Sequence, residues 1–136
     1  MPDYALRFDV TAAIARSGPL AWNEDGRRVE TQPALLGDVV LARKEMPTSY
    51  HLAVTVDDAL QGVTLVTRGK DLFTATHIHR LLQALLGLPV PRYQHHKLLT
   101  DASGRRYAKR DLSLTLRALR ETGRTPEEVR KMAGFA

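Results

Sequence analysis

The stretch SYHLAVTVDDALQGVTLVTRGKDL, residues 49–72, decides how this chain is read. Its opening, Tyr50–Val56, is rich in β-branched and apolar residues and predicts a strand. Asp57 and Asp58 interrupt it, ALQG follows, and Val63–Thr67 predicts another strand. Upstream, Gly37-Asp38 leads into the β-branched run VVLAR, and KEMPTS (44–49) is a polar turn. Residues 39–56 therefore read as two strands joined by a short loop. Further out, YALRFDV (4–10) alternates as a strand, and TAAIARSG supplies one short helical turn ended by Gly18-Pro19. Asn23-Glu24-Asp25-Gly26 is a turn signal in which Asp-Gly favours positive φ.

Downstream, THIHRLLQALLG (76–87) places Ile78, Leu81, Leu82, Leu85 and Leu86 on one helical face, closed by Gly87 and Pro89. Residues 92–99 read as extended, and Asp101–Gly104 as a turn. Leu112–Arg120 and Thr125–Met132 read as helices. The second opens with Thr125 as N-cap, Pro126 in the first turn and Glu128 completing a capping box. Strands and helices mix, which makes the class α/β or α+β.

Composition narrows the chemistry. The chain has 136 residues, 43% hydrophobic and 26% charged, ordinary for a soluble domain. No apolar run approaches the ~20 residues of a membrane span, and no leader pattern opens the chain, so cytoplasmic residence is the expectation. Cysteine is absent, which removes thiolate chemistry and cysteine-ligated zinc. Charge is uneven: residues 1–91 hold 9 Lys/Arg and 10 Asp/Glu, whereas residues 92–136 hold 11 and 5. The basic third suits polyanions or simply solubility.

Two groups invite a metal reading. Adjacent carboxylates on a strand point to opposite faces, so Asp57 and Asp58 suit a turn or helix cap better than a shared ion. His77-x-His79 and His95-His96 lack a spacing that sets two imidazoles on one helical face, and surface or partly packed histidines are expected. No metal site is expected.

Residues 49–72, followed at the right distance by LLQALLGLPVPRYQHH and LLTDASGRRYAKRD, resemble class I aminoacyl-tRNA synthetases of the glutamyl type. Within these the likeness is to the glutamyl-Q-tRNA(Asp) synthetases, strongest over residues 35–111. Val54, where full glutamyl-tRNA synthetases tend to have Asn, and the short tail after residue 111 point the same way. The resemblance implies an α/β fold, the second half of a Rossmann-like catalytic domain over residues 1–111 and a short helical tail over 112–136. It implies a family activity in which ATP, with Mg²⁺, activates L-glutamate and the glutamyl group passes to the queuosine base of tRNA(Asp).

Residue by residue, Tyr50 matches the tyrosine that helps hold glutamate, and Arg68 the arginine that meets the amino-acid carboxylate or adenylate region. A planar guanidinium suits paired bonds to a carboxylate or phosphate. Without the resemblance, Tyr50 would be a packing residue and Arg68 a strand-end arginine in a surface ion pair. Gly69 would let backbone approach a ligand, and Lys70 stands where acidic or small residues are commoner.

The run GRRYAKRD (104–111) aligns with the family's lysine signature. Arg106, Tyr107, Ala108, Lys109 and Arg110 occupy its five positions as a phosphate-binding loop. Lys109 matches the critical second lysine, Arg106 keeps the charge of the first, and Ala108 loses a serine hydroxyl. Mobile cations there would meet charge building on the α-phosphate and pyrophosphate. Lys109 and Arg106 are thus the candidate catalytic residues.

The family's H-x-G-H signature and zinc site find no counterpart in the sequence. Three readings stay open. The chain is one part of a synthetase that needs a separate or missing N-terminal half, a non-catalytic tRNA- or partner-binding module, or a decayed product without activity.

Overall fold

A computed structural model of the chain describes residues 4–100, 104 and 115–135. It divides into two compact units, Met1–His96 and Lys97–Ala136.

The first unit begins with strand β1 (Leu6–Phe8), whose chain turns at once into helix α1 (Val10–Ser17). Asp9 caps that helix, its carboxylate accepting from Ala12 N at 2.8 Å. Strands β2 (Ala21–Glu24) and β3 (Arg27–Glu30) form an antiparallel hairpin, with Glu24 opposite Arg27. Its two-residue loop is Asp25-Gly26, both at positive φ (48° and 82°), the backbone the Asp-Gly signal predicts. A 3-10 turn at Pro33–Leu35 leads into β4 (Val39–Ala42), which pairs antiparallel with β1.

Residues Tyr50–Leu60 are not a strand but helix α2. Ser49 caps it, its hydroxyl accepting from Leu52 N at 3.4 Å, and the β-branched Val54, Thr55 and Val56 are carried on its turns. Asp57 and Asp58 consequently sit inside a helix rather than capping one.

Strand β5 (Leu65–Gly69), a 3-10 turn (Lys70–Leu72), helix α3 (Phe73–Leu86) and strand β6 (Arg92–His96) form a β-α-β unit with parallel strands. The four-stranded sheet runs β3-β2-β6-β5, with β6 parallel to both β2 and β5. Helix α3 ends at Gly87, in the left-handed conformation (φ 65°, ψ 29°) that glycine adopts without penalty. Ile78, Leu81 and Leu82 of its apolar face join Val10 and Ala13 of α1 in the core. Leu85 and Leu86, expected on the same face, remain exposed at the helix end.

In the second unit, α4 (Leu116–Glu121) and α5 (Pro126–Met132) are the described helices. The Thr125/Glu128 capping box forms as the sequence predicts. No helix among the described residues is long and apolar enough to cross a membrane.

Candidate functional site

In the parallel pair β5–β6, Val66 lies beside Tyr93 and Arg68 beside His95. Alternation sends these four side chains to one face of the sheet. Arg68 is next to the carboxyl end of β5 and is only 9% exposed, so the expectation of a surface ion pair does not hold.

Its guanidinium meets a ring of neutral acceptors. Nε donates to His95 Nε2 at 3.1 Å, Nη1 to His79 Nδ1 at 3.1 Å, and Nη2 to the Thr76 hydroxyl. The Tyr93 ring lies beneath it, 5.3 Å from the guanidinium carbon. Thr76 and His79, three residues apart on α3, reach it from one helical face. No described carboxylate is in ion-pair contact with Arg68, which is unusual for a buried cation.

Behind each histidine stands a further partner. His95 Nδ1 lies 2.9 Å from Glu24 Oε2 and its backbone N–H donates to Glu24 Oε1 at 2.8 Å. The Trp22 indole donates to the same carboxylate at 3.1 Å. Burial works against the charged form of Glu24, but these hydrogen bonds outweigh it and hold its pKa below the ordinary value. His79 Nε2 meets His51 Nδ1, on α2, at 3.1 Å.

Every one of these imidazoles is held neutral. Burial, then the Arg68 charge, lowers His79 to about 3. His51 is lowered by burial and by Arg68. His95 is lowered mainly by burial, against the pull of Glu24. Asp58 is raised by its burial in α2, opposed by Arg68.

The histidines are the residues sequence reasoning missed. His77, His79 and His95 are buried rather than superficial. Their i, i+2 spacing does separate His77 from His79. His77 stacks edge-on against Trp22 at 4.8 Å and accepts from Gln32 N at 2.9 Å, away from Arg68. What the sequence could not reveal is the strand register that sets His95 beside Arg68.

Tyr50 occupies the first residue of α2, not a strand, and is 49% exposed. Its ring lies 5.7 Å from that of His79, so Tyr50 and Arg68 flank the same imidazole. Gly69 and Lys70 follow Arg68 directly. Lys70 lines a cleft of about 710 Å³ at the carboxyl ends of β2 and β6, with Glu24, Arg27, Phe73, Gln94 and His96. In parallel sheets ligands bind at that end. No group of three potential metal ligands converges among the described residues. Arg106, Tyr107, Ala108, Lys109 and Arg110 lie outside the described residues.

Comparison with known proteins identifies the family. The family described as tRNA synthetases class I (E and Q), catalytic domain, matches residues 7–134, a longer span than the 35–111 where the sequence likeness is strongest. A glutamyl-Q tRNA(Asp) synthetase from Rhodobacter capsulatus is 50% identical over 99% of this chain and 50% of its own length. One from Nocardia farcinica is 49% identical over 68% of this chain and 30% of its own. The chain thus spans half or less of the curated relatives it matches. Among solved structures, a glutamate-tRNA synthetase from Elizabethkingia anophelis superposes with a TM-score of 0.58 at 26% identity, over 70% of this chain and 20% of that one. By the extent of these matches, the chain belongs to the class I tRNA synthetase (E and Q) catalytic-domain family.

Proposed function

We propose that this chain supplies the second half of a glutamyl-Q-tRNA(Asp) synthetase catalytic domain, residues 1–111, with a helical tail over 112–136. Arg68 and Tyr50 hold glutamate. The carrying observation is the buried Arg68 guanidinium, oriented by neutral acceptors and paired with no described carboxylate. A buried cation of this kind favours an anionic ligand, and a carboxylate fits its planar fork.

In the whole domain the glutamate α-carboxylate attacks the α-phosphorus of ATP, pyrophosphate leaves, and a glutamyl-adenylate forms. The glutamyl group then passes to the queuosine base of tRNA(Asp) and AMP departs. Arg106 and Lys109 meet the phosphates, and Mg²⁺ accompanies ATP. A cleft of about 710 Å³ at the carboxyl ends of β2 and β6, where parallel sheets take ligands, supports a ligand on that side of the sheet.

Half a parallel sheet offers half a site, so the 136-residue chain alone is expected to show no glutamate-dependent ATP–pyrophosphate exchange. Mixed with the N-terminal half of the Rhodobacter capsulatus relative, it should show exchange that Arg68→Gln or Lys109→Ala abolishes. Exchange by the isolated chain, or restored exchange indifferent to Arg68, sinks the reading.

A second reading has its own observation. Arg117, Arg120 and Arg124 line an apolar-floored groove of about 620 Å³ with Leu116, Pro126 and Val129. Such a surface suits an RNA backbone, with or without catalysis.

A further inference from the structure

We infer that His79 and His95 are positioning residues for Arg68, two neutral imidazoles that aim its guanidinium as pure acceptors and so leave its charge for an incoming carboxylate. This rests on the reading of Arg68 as the residue that holds glutamate.

The tautomers follow from donor counting. A guanidinium has only N–H donors and cannot accept. The nitrogens facing it, Nδ1 of His79 and Nε2 of His95, must therefore present lone pairs. The ring protons go to the far side. His95 carries its proton on Nδ1, where Glu24 accepts it at 2.9 Å. His79 carries its proton on Nε2 and donates to His51 Nδ1 at 3.1 Å. Each imidazole is thus locked in one tautomer by its outer partner.

The arrangement differs from the common one for a buried arginine. A carboxylate in either place would orient the guanidinium equally well but cancel its charge. The ionisable groups that interact with Arg68 are His51 and Asp58 from α2, His79 from α3, and Tyr93 and His95 from β6, with Glu24 of β2 behind His95. Asp58 is the carboxyl group that feels the Arg68 charge, without ion-pair contact, and Glu24 is engaged by Trp22 and His95.

One consequence separates this cradle from a merely cationic pocket. Protonating either imidazole turns an acceptor into a donor aimed at the guanidinium, so Arg68 must release it. Acid should therefore disorder Arg68 although the local positive charge rises.

Nitrogen-detected NMR of the histidine rings and the Arg68 Nε–H and Nη1–H in the 136-residue chain tests this. At pH 7, His95 should appear as the Nδ1–H tautomer and His79 as the Nε2–H tautomer, with a sharp Arg68 Nε–H signal. The Arg68 Nη1–H signal, whose acceptor is His79, should persist in His79→Gln, which keeps an acceptor, whereas His79→Leu should broaden or lose it while the backbone spectrum stays folded. An Nε2–H tautomer at His95, an imidazolium at either position at pH 7, or an Arg68 Nη1–H signal equally sharp in His79→Leu overturns the inference. These signals judge the cradle alone. The exchange assay with Arg68→Gln judges the carboxylate role.

Discussion

His79 faces two ways, accepting from a guanidinium on one nitrogen and donating to His51 on the other. That has a thermodynamic consequence. In the unfolded chain a histidine titrates near its ordinary value of about 6.5. In the folded protein His51, His77, His79 and His95 are all lowered, His79 to about 3. Between the two values the unfolded chain binds more protons, so folding stability rises with pH there. The contribution is complete above about pH 6.5 and is lost as pH falls toward the folded values. Urea unfolding followed from pH 8 to pH 5 should show a midpoint falling below pH 6.5, with a shallower fall in His79→Gln. A flat profile would contradict buried neutral histidines. Arg68 stood out through the family resemblance of VTRGKDL, since by itself it read as a strand-end arginine in a surface ion pair. Its environment was not, because a two-residue spacing on a helix says nothing about which strand each imidazole will meet.

At the level of elements, local signals succeeded where one residue governs the backbone. Asp25-Gly26 gave the hairpin and Thr125 with Glu128 gave the start of α5. They failed over Tyr50–Leu60, where β-branched Val54, Thr55 and Val56 carry strand propensity but tertiary packing holds a helix. The signal that could have found α2 is Ser49, a serine N-cap with no Pro or Gly in the eleven residues that follow. Ser49→Ala should cost about 0.5–1 kcal/mol, the low end for caps because the bond to Leu52 N is long at 3.4 Å. Equilibrium urea denaturation reads this directly, and a neutral result would mean the hydroxyl does no capping. Gly87→Ala tests the other end of the β-α-β unit. A Cβ there would meet nothing within 4 Å, so the cost of about 1 kcal/mol comes from left-handed backbone alone. Gly87→Asn, which tolerates that conformation better, should lose less.

For the molecule as a whole, charge and sheet tell complementary stories. Strand β5 pairs with β6 alone among the described residues, and a parallel strand is ordinarily covered on both sides. That accords with a chain spanning half of its relatives, although the sequence likeness alone reached the family without any view of this edge. The charge surplus, by contrast, was legible from counting, and it lies in residues 92–136. In the second unit Arg117 pairs with Glu121 and Arg124 with Glu128, both exposed i, i+4 bridges. Exposed bridges of this type contribute little and exchange readily for phosphate. If the groove carrying Arg117, Arg120 and Arg124 holds an RNA backbone, binding of tRNA(Asp) should weaken steeply with salt, each phosphate contact adding roughly 0.7–0.9 to the log–log slope. Replacing all three arginines by glutamine should flatten that slope by about 2 units and leave the helices folded, since none of the three is buried. Binding that ignores salt, or a slope untouched by the triple substitution, would remove this surface from any account of tRNA recognition and leave the Arg68 site to stand alone.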